Sequence, residues 1–261
     1  MRLKRIVSGI ACMLYACAVS SAQTKTVLKT EFQDVYPKYF VKDGVPSGIS
    51  YEIMRLVERN SRFSFVHSDS LVALGRVSND LSLGLMDIQF GLQKTPEREA
   101  SMIFGSPLYS VRIVGVMRAD DPDSISSIAD IVGGKHVVLT QLGTGAAMVL
   151  RSIPGLRLDD AAKSVAVNLE KLLIGRGKIL LYHNLSVNAV LADPGNAGKF
   201  RLVEINVSGY KDLESADQYV VYAKHVPPST VAEINGVIEA LRKSGELGRI
   251  TEKYLDNIGT K

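Results

Sequence analysis

LSLGLMDIQFGLQKTPEREASMIFGSPLY, residues 81–109, is the stretch from which the rest of the chain is read. Its first residues close a helical pattern and turn at Gly84. Asp87-Ile88-Gln89-Phe90 then reads as a short strand that stops at Gly91. The polar run from Gln93 to Arg98 carries helix-start chemistry, with Thr95 as N-cap, Pro96 at the first helical position and Glu97 in the first turn. A strand-to-helix junction of this kind offers backbone N–H groups and positive dipole to an anion. Arg98 adds a planar fork that matches a carboxylate with two parallel hydrogen bonds. An arginine in a first helical turn is ordinarily just a solvated charge, so its meaning depends on its surroundings.

Toward the N-terminus the surroundings are α/β. Residues 27–30 read as a first strand, followed by a loop over 31–38 that carries Phe32 and Tyr36. A short hairpin is expected near 40–44. Ile49, Ile53, Leu56 and Val57 are spaced for the inner face of a helix. Residues 63–66 alternate like a strand, and 74–83 read as the next helix. Beyond the opening stretch, 111–117 form an apolar strand and 120–123 a turn-rich break. A strand over 136–140 meets the glycine-bearing turn Gly143-Thr144-Gly145, which opens a helix. Strands are expected at 203–207 and 219–223, and a final long helix at 229–255 with a glycine step at Gly245. Strands alternating with helices imply doubly wound sheets. Two strand-to-helix loops about fifty residues apart suggest two lobes.

The string G-x-x-D-(apolar)-x-x-G-x-x-x-T-P-E-R-E, followed by F-G-S-P-x-Y, resembles the extracellular solute-binding proteins of family 3, the polar amino-acid receptors of bacterial ABC importers. The resemblance extends over nearly the whole chain, through Asp130, Gly134 and Lys135 to the Gly245 ending. It implies a two-lobed periplasmic-binding-protein-like fold of type II, two doubly wound sheets joined by two crossover strands. Lobe 1 would span 23–112 and 223–261, and lobe 2 would span 113–222. The hinge would lie near 111–117 and 219–224, with ligand in the cleft at the strand ends.

The resemblance also implies a set of ligand-binding residues. Arg98 would clamp a carboxylate, with the Gly91 backbone and the Gln93 side chain beside it. Thr144 and Gly145 would face the anion from lobe 2, and Tyr36 or Phe32 would supply an aromatic lid. Departures from the family's pattern lie in GRGKILLYHN, residues 175–184. Lys178-Ile179 stands where the family has Asp-Ala, and Asn184 where it has the acid that takes the α-ammonium. A charged hydrogen bond contributes about 1.5–3 kcal/mol and a neutral one about 0.5–1.5, so an α-amino acid would bind about tenfold more weakly. Asp217 and Glu31 are the carboxylates that could compensate.

Composition bounds the alternatives. A hydrophobic share of 46% and a charged share of 22% are those of an ordinary globular protein. Residues 1–22 combine Arg2, Lys4 and Arg5 with an apolar run and a small-residue site before Gln23, the pattern of a secretory signal peptide. Both cysteines, Cys12 and Cys17, lie inside it. Cys17 in a loose lipobox offers a lipid anchor, the less favoured outcome against soluble release into the periplasm. Without the leader the chain carries 28 basic and 27 acidic residues, a net charge of +1, which gives no argument for nucleic acid. The histidines at 67, 136, 183 and 225 lack metal-ligand spacing, and His183 could line the cleft or simply pack. No dinucleotide fingerprint, P-loop, G-x-S-x-G or H-E-x-x-H is present, so neither cofactor nor metal is expected. The expected protein is a monomer that captures a carboxylate-bearing solute, an amino acid or analogue, for an inner-membrane ABC permease. Two alternatives remain. One is a periplasmic enzyme of the same fold, akin to cyclohexadienyl dehydratases, with Glu31 or Asp217 as acid–base group. The other is a receptor that presents its ligand to a membrane sensor.

Overall fold

The computed structural model describes residues 25–68, 70–214 and 216–255. The signal-peptide and Cys17 readings fall outside these residues. Two sheet-centred halves follow from how the strands pair. In the first half, strand Gln218–Ala223 lies between Ile88–Gln93 and Met102–Tyr109, antiparallel to both. Thr26–Lys29 pairs in parallel with Phe63–Val66, and the Asp87 amide donates to the Lys29 carbonyl at 2.9 Å, joining that pair to the rest. The second half is one five-stranded sheet. Its order is Arg157–Ala162, Val137–Gln141, Ile179–His183, Ile113–Arg118, Phe200–Val203, the first three parallel and the last two pairings antiparallel.

Burial explains why these segments became strands. Every residue of Ile88–Gln93 is buried, as is every residue of Ile179–His183, the pattern of strands covered on both faces. Helix Ile49–Arg59 turns Ile49, Ile53, Met54, Leu56 and Val57 into the first core, the stripe that its spacing predicts. Side chains fully buried in the first half include Tyr39, Phe63 and Phe90, and in the second Leu139, Leu180 and Tyr182. No helix among the described residues is long and apolar enough to cross a membrane.

The structure departs from the sequence reading in four places. The strand expected to stop at Gly91 continues to Gln93, because Leu92 and Gln93 pair with Tyr219 and Gln218. Glycine is needed there for another reason: its φ is +91°, and a Cβ would lie 2.4 Å from Ser50 Oγ. The strand placed at 203–207 is found at Phe200–Val203, beyond which Asn206 makes only an isolated bridge to Ser127. The helix expected over 229–255 is two helices, Pro228–Lys243 and Glu246–Leu255, broken at Gly245 with φ +78°. A left-handed residue of this kind ends a helix. Finally, the resemblance implies a second lobe that extends through 222 and a return crossover near 219–224. Gln218–Ala223 is instead the middle strand of the first half's sheet, so the chain returns through 204–217.

Candidate functional site

Helix Pro96–Ser101 starts where the sequence places it, with the Thr95 hydroxyl accepting from the Arg98 amide at 3.3 Å. That cap aims Arg98 inward, and its side chain is only 3% exposed. One terminal guanidinium nitrogen donates to the Gln93 carbonyl at 2.8 Å. The other donates to the Gly143 carbonyl of the second half at 3.1 Å and to Ser78 Oγ at 3.4 Å. Arg98 Nε is buried with no partner among the described residues. Burial lowers the Arg98 pKa to about 10, still well above neutral pH.

Arg98 stands where the two halves meet. Gln93 Nε2 donates to the Asp212 carbonyl at 2.8 Å, and the Gln93 side chain packs so close to Gly145 that a Cβ there would lie 2.5 Å from its Oε1. Gly143 meets the backbone of Gly75 in the same way, at 3.0 Å. Ser186 Oγ donates to the Tyr36 carbonyl at 2.5 Å. The halves are therefore in contact across Gln93, Arg98, Gly143, Gly145 and Ser186.

The remaining expected residues are placed as follows. The Gly91 carbonyl faces this junction and accepts from Lys38 Nζ at 3.0 Å. The Thr144 hydroxyl caps its helix, accepting from the Ala147 amide and donating to the Gln141 carbonyl, so it is already committed. The helices that begin at Pro96 and Gly145 have only six and seven residues. Few peptide dipoles add up over that length, so the positive potential at these helix starts is small beside the Arg98 charge. Asn184 Oδ1 accepts from the Arg112 amide at 3.1 Å, and its own amide donates back to the Arg112 carbonyl. Asn184 thus ties the crossover at Arg112 to the second sheet. Tyr36 is 50% exposed and lies edge-on to Phe40. Phe32 is buried against Tyr39 and His67, and so belongs to packing.

The structure brings in Lys38, Ser50 and Tyr109, which sequence reasoning missed, and gives a place to His183, which it had left open between cleft and packing. Lys38 is 4% exposed, and its Nζ donates to Gly91 O and to Gln218 Oε1. Burial, then the Arg98 charge, lowers its pKa to about 7. His183 is buried at the end of strand Ile179–His183, and its Nδ1 accepts from the Ser186 amide at 3.4 Å. Burial, then Lys38, holds its pKa well below the ordinary histidine value. Ser50 and Tyr109 share a 2.9 Å hydrogen bond, and burial raises the Tyr109 and Tyr182 phenols. In a polar loop Lys38 reads as one more solvated charge, and no local pattern marks it out.

Two cavities open outward along the same junction. One, about 390 Å³, is lined by Asp34 and Tyr36 from the first half and by Gln141, Ser164 and Val190 from the second. The other, about 270 Å³, lies between Arg76, Leu74 and Asp34 on one side and Gln141, Leu142 and Lys163 on the other. A groove of about 520 Å³ on the far face, between helices Ile49–Arg59 and Glu246–Leu255, is open and lined mainly by charged side chains. No cluster of three metal-ligating side chains occurs among the described residues.

Two α/β halves in contact along one junction are the architecture of two-lobed binding proteins, and solved structures share that fold. An amino acid ABC transporter substrate-binding protein, AbpA from Streptococcus pneumoniae bound to L-arginine, superposes with a TM-score of 0.73 at 17% identity, over 92% of this chain and 98% of that one. A Salmonella typhimurium periplasmic binding protein described for high arginine specificity gives 0.71 at 17%, over 88% and 99%. An ancestral amino-acid-binding protein, a precursor of cyclohexadienyl dehydratase, gives 0.71 at 16%, over 88% and 95%. No curated protein matches the chain. Residues 31–257 match the bacterial extracellular solute-binding proteins, family 3, and the chain belongs to that family. The fold is the two-lobed type II periplasmic binding fold.

Proposed function

We propose that this protein is a periplasmic receptor that captures a small carboxylate-bearing solute between its two lobes and delivers it to an inner-membrane ABC importer. The observation that carries the reading is Arg98, a buried guanidinium held between the Gln93 carbonyl of one lobe and the Gly143 carbonyl of the other. A carboxylate entering there would meet the unpartnered Nε–H of a charged guanidinium positioned by the Thr95 cap and could displace the Gly143 carbonyl from the neighbouring terminal nitrogen. Closure of the lobes would be driven by the ligand's preference for the closed state. Family membership supports secretion and capture of a solute, and the arginine-bound relatives support the amino-acid class or its analogues. In this reading lobe 1 comprises the residues up to 112 and those from the return crossover onward, and the receptor acts as a monomer.

A second reading, an enzyme on the same fold, is favoured by one group. Burial, then the Asp80 carboxylate, raises the Glu31 carboxyl above the ordinary range, which suits acid–base work. Glu31 lies beside Arg76, which lines the smaller cavity at the junction. Asp217, the other candidate, sits beside Tyr219.

The test is thermal unfolding of the protein from Gln23 onward against amino acids, keto acids and dicarboxylic acids. A ligand at 100 times its dissociation constant adds about 2.7 kcal/mol, which for a chain of this size raises Tm by roughly 5–10 °C. The shift is expected to vanish in Arg98→Ala. A shift that survives that substitution would overturn the carboxylate clamp. Turnover of a bound acid, lost in Glu31→Gln, would establish the enzyme reading instead.

A further inference from the structure

The junction between the lobes holds more basic and hydrogen-bond-donating groups than one carboxylate needs. Arg98, Lys38 and His183 are all buried there, and each lies close enough to the next for its charge to be felt, Arg98 by Lys38 and Lys38 by His183. No acidic side chain among the described residues is bonded to any of the three. The buried acids are engaged elsewhere. Glu58 accepts from Ser64 and the Phe65 amide, Asp80 pairs with Arg76, and Asp121 pairs with Lys178. Arg98 and a protonated Lys38 buried together without a counter-ion are costly, and the cost falls when an anion enters between them.

Unused donors point the same way. Arg98 Nε–H is buried without a partner. His183 Nδ1 accepts from the Ser186 amide, so in the neutral ring the proton sits on Nε2, and Nε2 is buried without a partner as well. Protonated Lys38 has three donors and uses two, on Gly91 O and Gln218 Oε1. Three side chains therefore each hold a spare N–H, and acceptors on the ligand are what they lack. Among the described residues, the remaining buried side-chain atoms without partners belong to Glu31, Gln33 and Asn168. Asn184, the residue expected to meet an ammonium, spends its oxygen on the Arg112 amide.

We infer that the ligand is a small dianion, a dicarboxylate without an ammonium group, with one carboxylate on Arg98 and the second on Lys38 with His183. This rests on the carboxylate-capture reading and narrows it. An α-ammonium placed between the lobes would face Lys38, and like charges there disfavour it. Lys38 is thus a specificity-determining residue. Its ammonium already takes one lone pair of the Gly91 carbonyl, and a ligand amine at the other lone pair would lie beside that charge.

The inference is tested by titration calorimetry of the protein from Gln23 onward with three sets of probes. These are the dicarboxylates from malonate to adipate, the matching monocarboxylates, and L-aspartate and L-glutamate. Succinate and L-aspartate differ only in the amino group, and succinate and butyrate only in the second carboxylate. At least one dicarboxylate is expected to bind tenfold or more tightly than both its monocarboxylate and its amino-acid counterpart. Lys38→Gln, which keeps a donor for Gly91 O but removes the charge, is expected to bring that dicarboxylate down to the level of the monocarboxylate. Circular dichroism confirms that the variant is folded, and Lys38→Arg, which keeps the charge, is expected to retain part of the preference. Tighter binding of the amino acids, or a dicarboxylate preference unchanged in Lys38→Gln, would overturn the dianion inference while leaving the Arg98 clamp standing. Failure of every carboxylate to bind, or binding that survives Arg98→Ala, would instead remove the receptor reading beneath it.

Discussion

Lys38 concentrates the chemistry of the site in one side chain. Its ordinary pKa of 10.5 falls to about 7 in the closed fold, through burial first and the Arg98 charge second. The sign of the consequence follows from proton counting. Between pH 7 and 10 the unfolded chain holds a proton on this lysine that the folded chain has lost, so ligand-free stability rises with pH across that window. Falling pH removes that stability between 10 and 7, and below 7 both states hold the proton and the dependence levels off. The groups facing Lys38 do not reverse this. Arg98 titrates near 10, His183 is already neutral, and the Tyr39 and Tyr109 phenols are raised. A bound dianion favours the charged lysine, so binding above pH 7 must take up a proton. Titration of the best dicarboxylate at pH 8.5, in two buffers of different ionisation enthalpy, is expected to show uptake approaching one proton. In Lys38→Gln the uptake is expected to vanish, and an unchanged value would assign the proton to another group.

The helix that carries Arg98 is only six residues long, so its cap matters more than in a longer element. The Thr95 hydroxyl accepts from the Arg98 amide and also reaches Met148 Sδ of the other lobe at 3.7 Å. Thr95→Ala is expected to cost about 1 kcal/mol, a fall in Tm of roughly 2–4 °C. It should also weaken ligand binding, because the cap sets where the guanidinium points. Thr95→Ser, which restores the acceptor, is expected to recover both. Equal binding by the alanine and serine variants would show that Arg98 is positioned by its carbonyl partners alone. This cap was legible in the sequence because Thr-Pro-Glu is local chemistry, and Gly91 was legible as a special position for a similar reason. Whether the strand ended there was not legible, because Gln218–Ala223 pairs with it from more than a hundred residues away. Arg98 was found by its motif. Lys38 was missed because its burial comes from Gln218, Gly91 and the opposite lobe, none of which is its neighbour in sequence. Gln93 and Gly145 were expected to touch ligand, and what they touch here is each other.

At the scale of the molecule, the junction carries several polar contacts between the lobes. Across it run single hydrogen bonds, Gln93 to the Asp212 carbonyl, Arg98 to the Gly143 carbonyl and Ser186 to the Tyr36 carbonyl. Contacts of that kind contribute about 0.5–1.5 kcal/mol each when neutral and somewhat more when charged. They compete with the burial of Lys38 and Arg98, which opposes closure. The closed arrangement without ligand is therefore expected to be in exchange with an open one, and a dianion that satisfies both cations is expected to hold it shut. Ala73 and Leu142 line the same cavity from opposite lobes, and both are exposed. The chain after residue 22 contains no cysteine, so a pair of cysteines placed at 73 and 142 can be spin-labelled without background. Pulsed electron–electron resonance is expected to give a broad distance distribution without ligand. On addition of the acid that shifts Tm, it should give a narrower one, shorter by more than about 2 Å. In the Arg98→Ala background the distribution is expected to stay broad at the same ligand concentration. A distribution already narrow and short without ligand, and unchanged by it, would mean that these few bonds outweigh the buried charge. The protein would then be closed at rest, and ligand entry would have to wait on spontaneous opening.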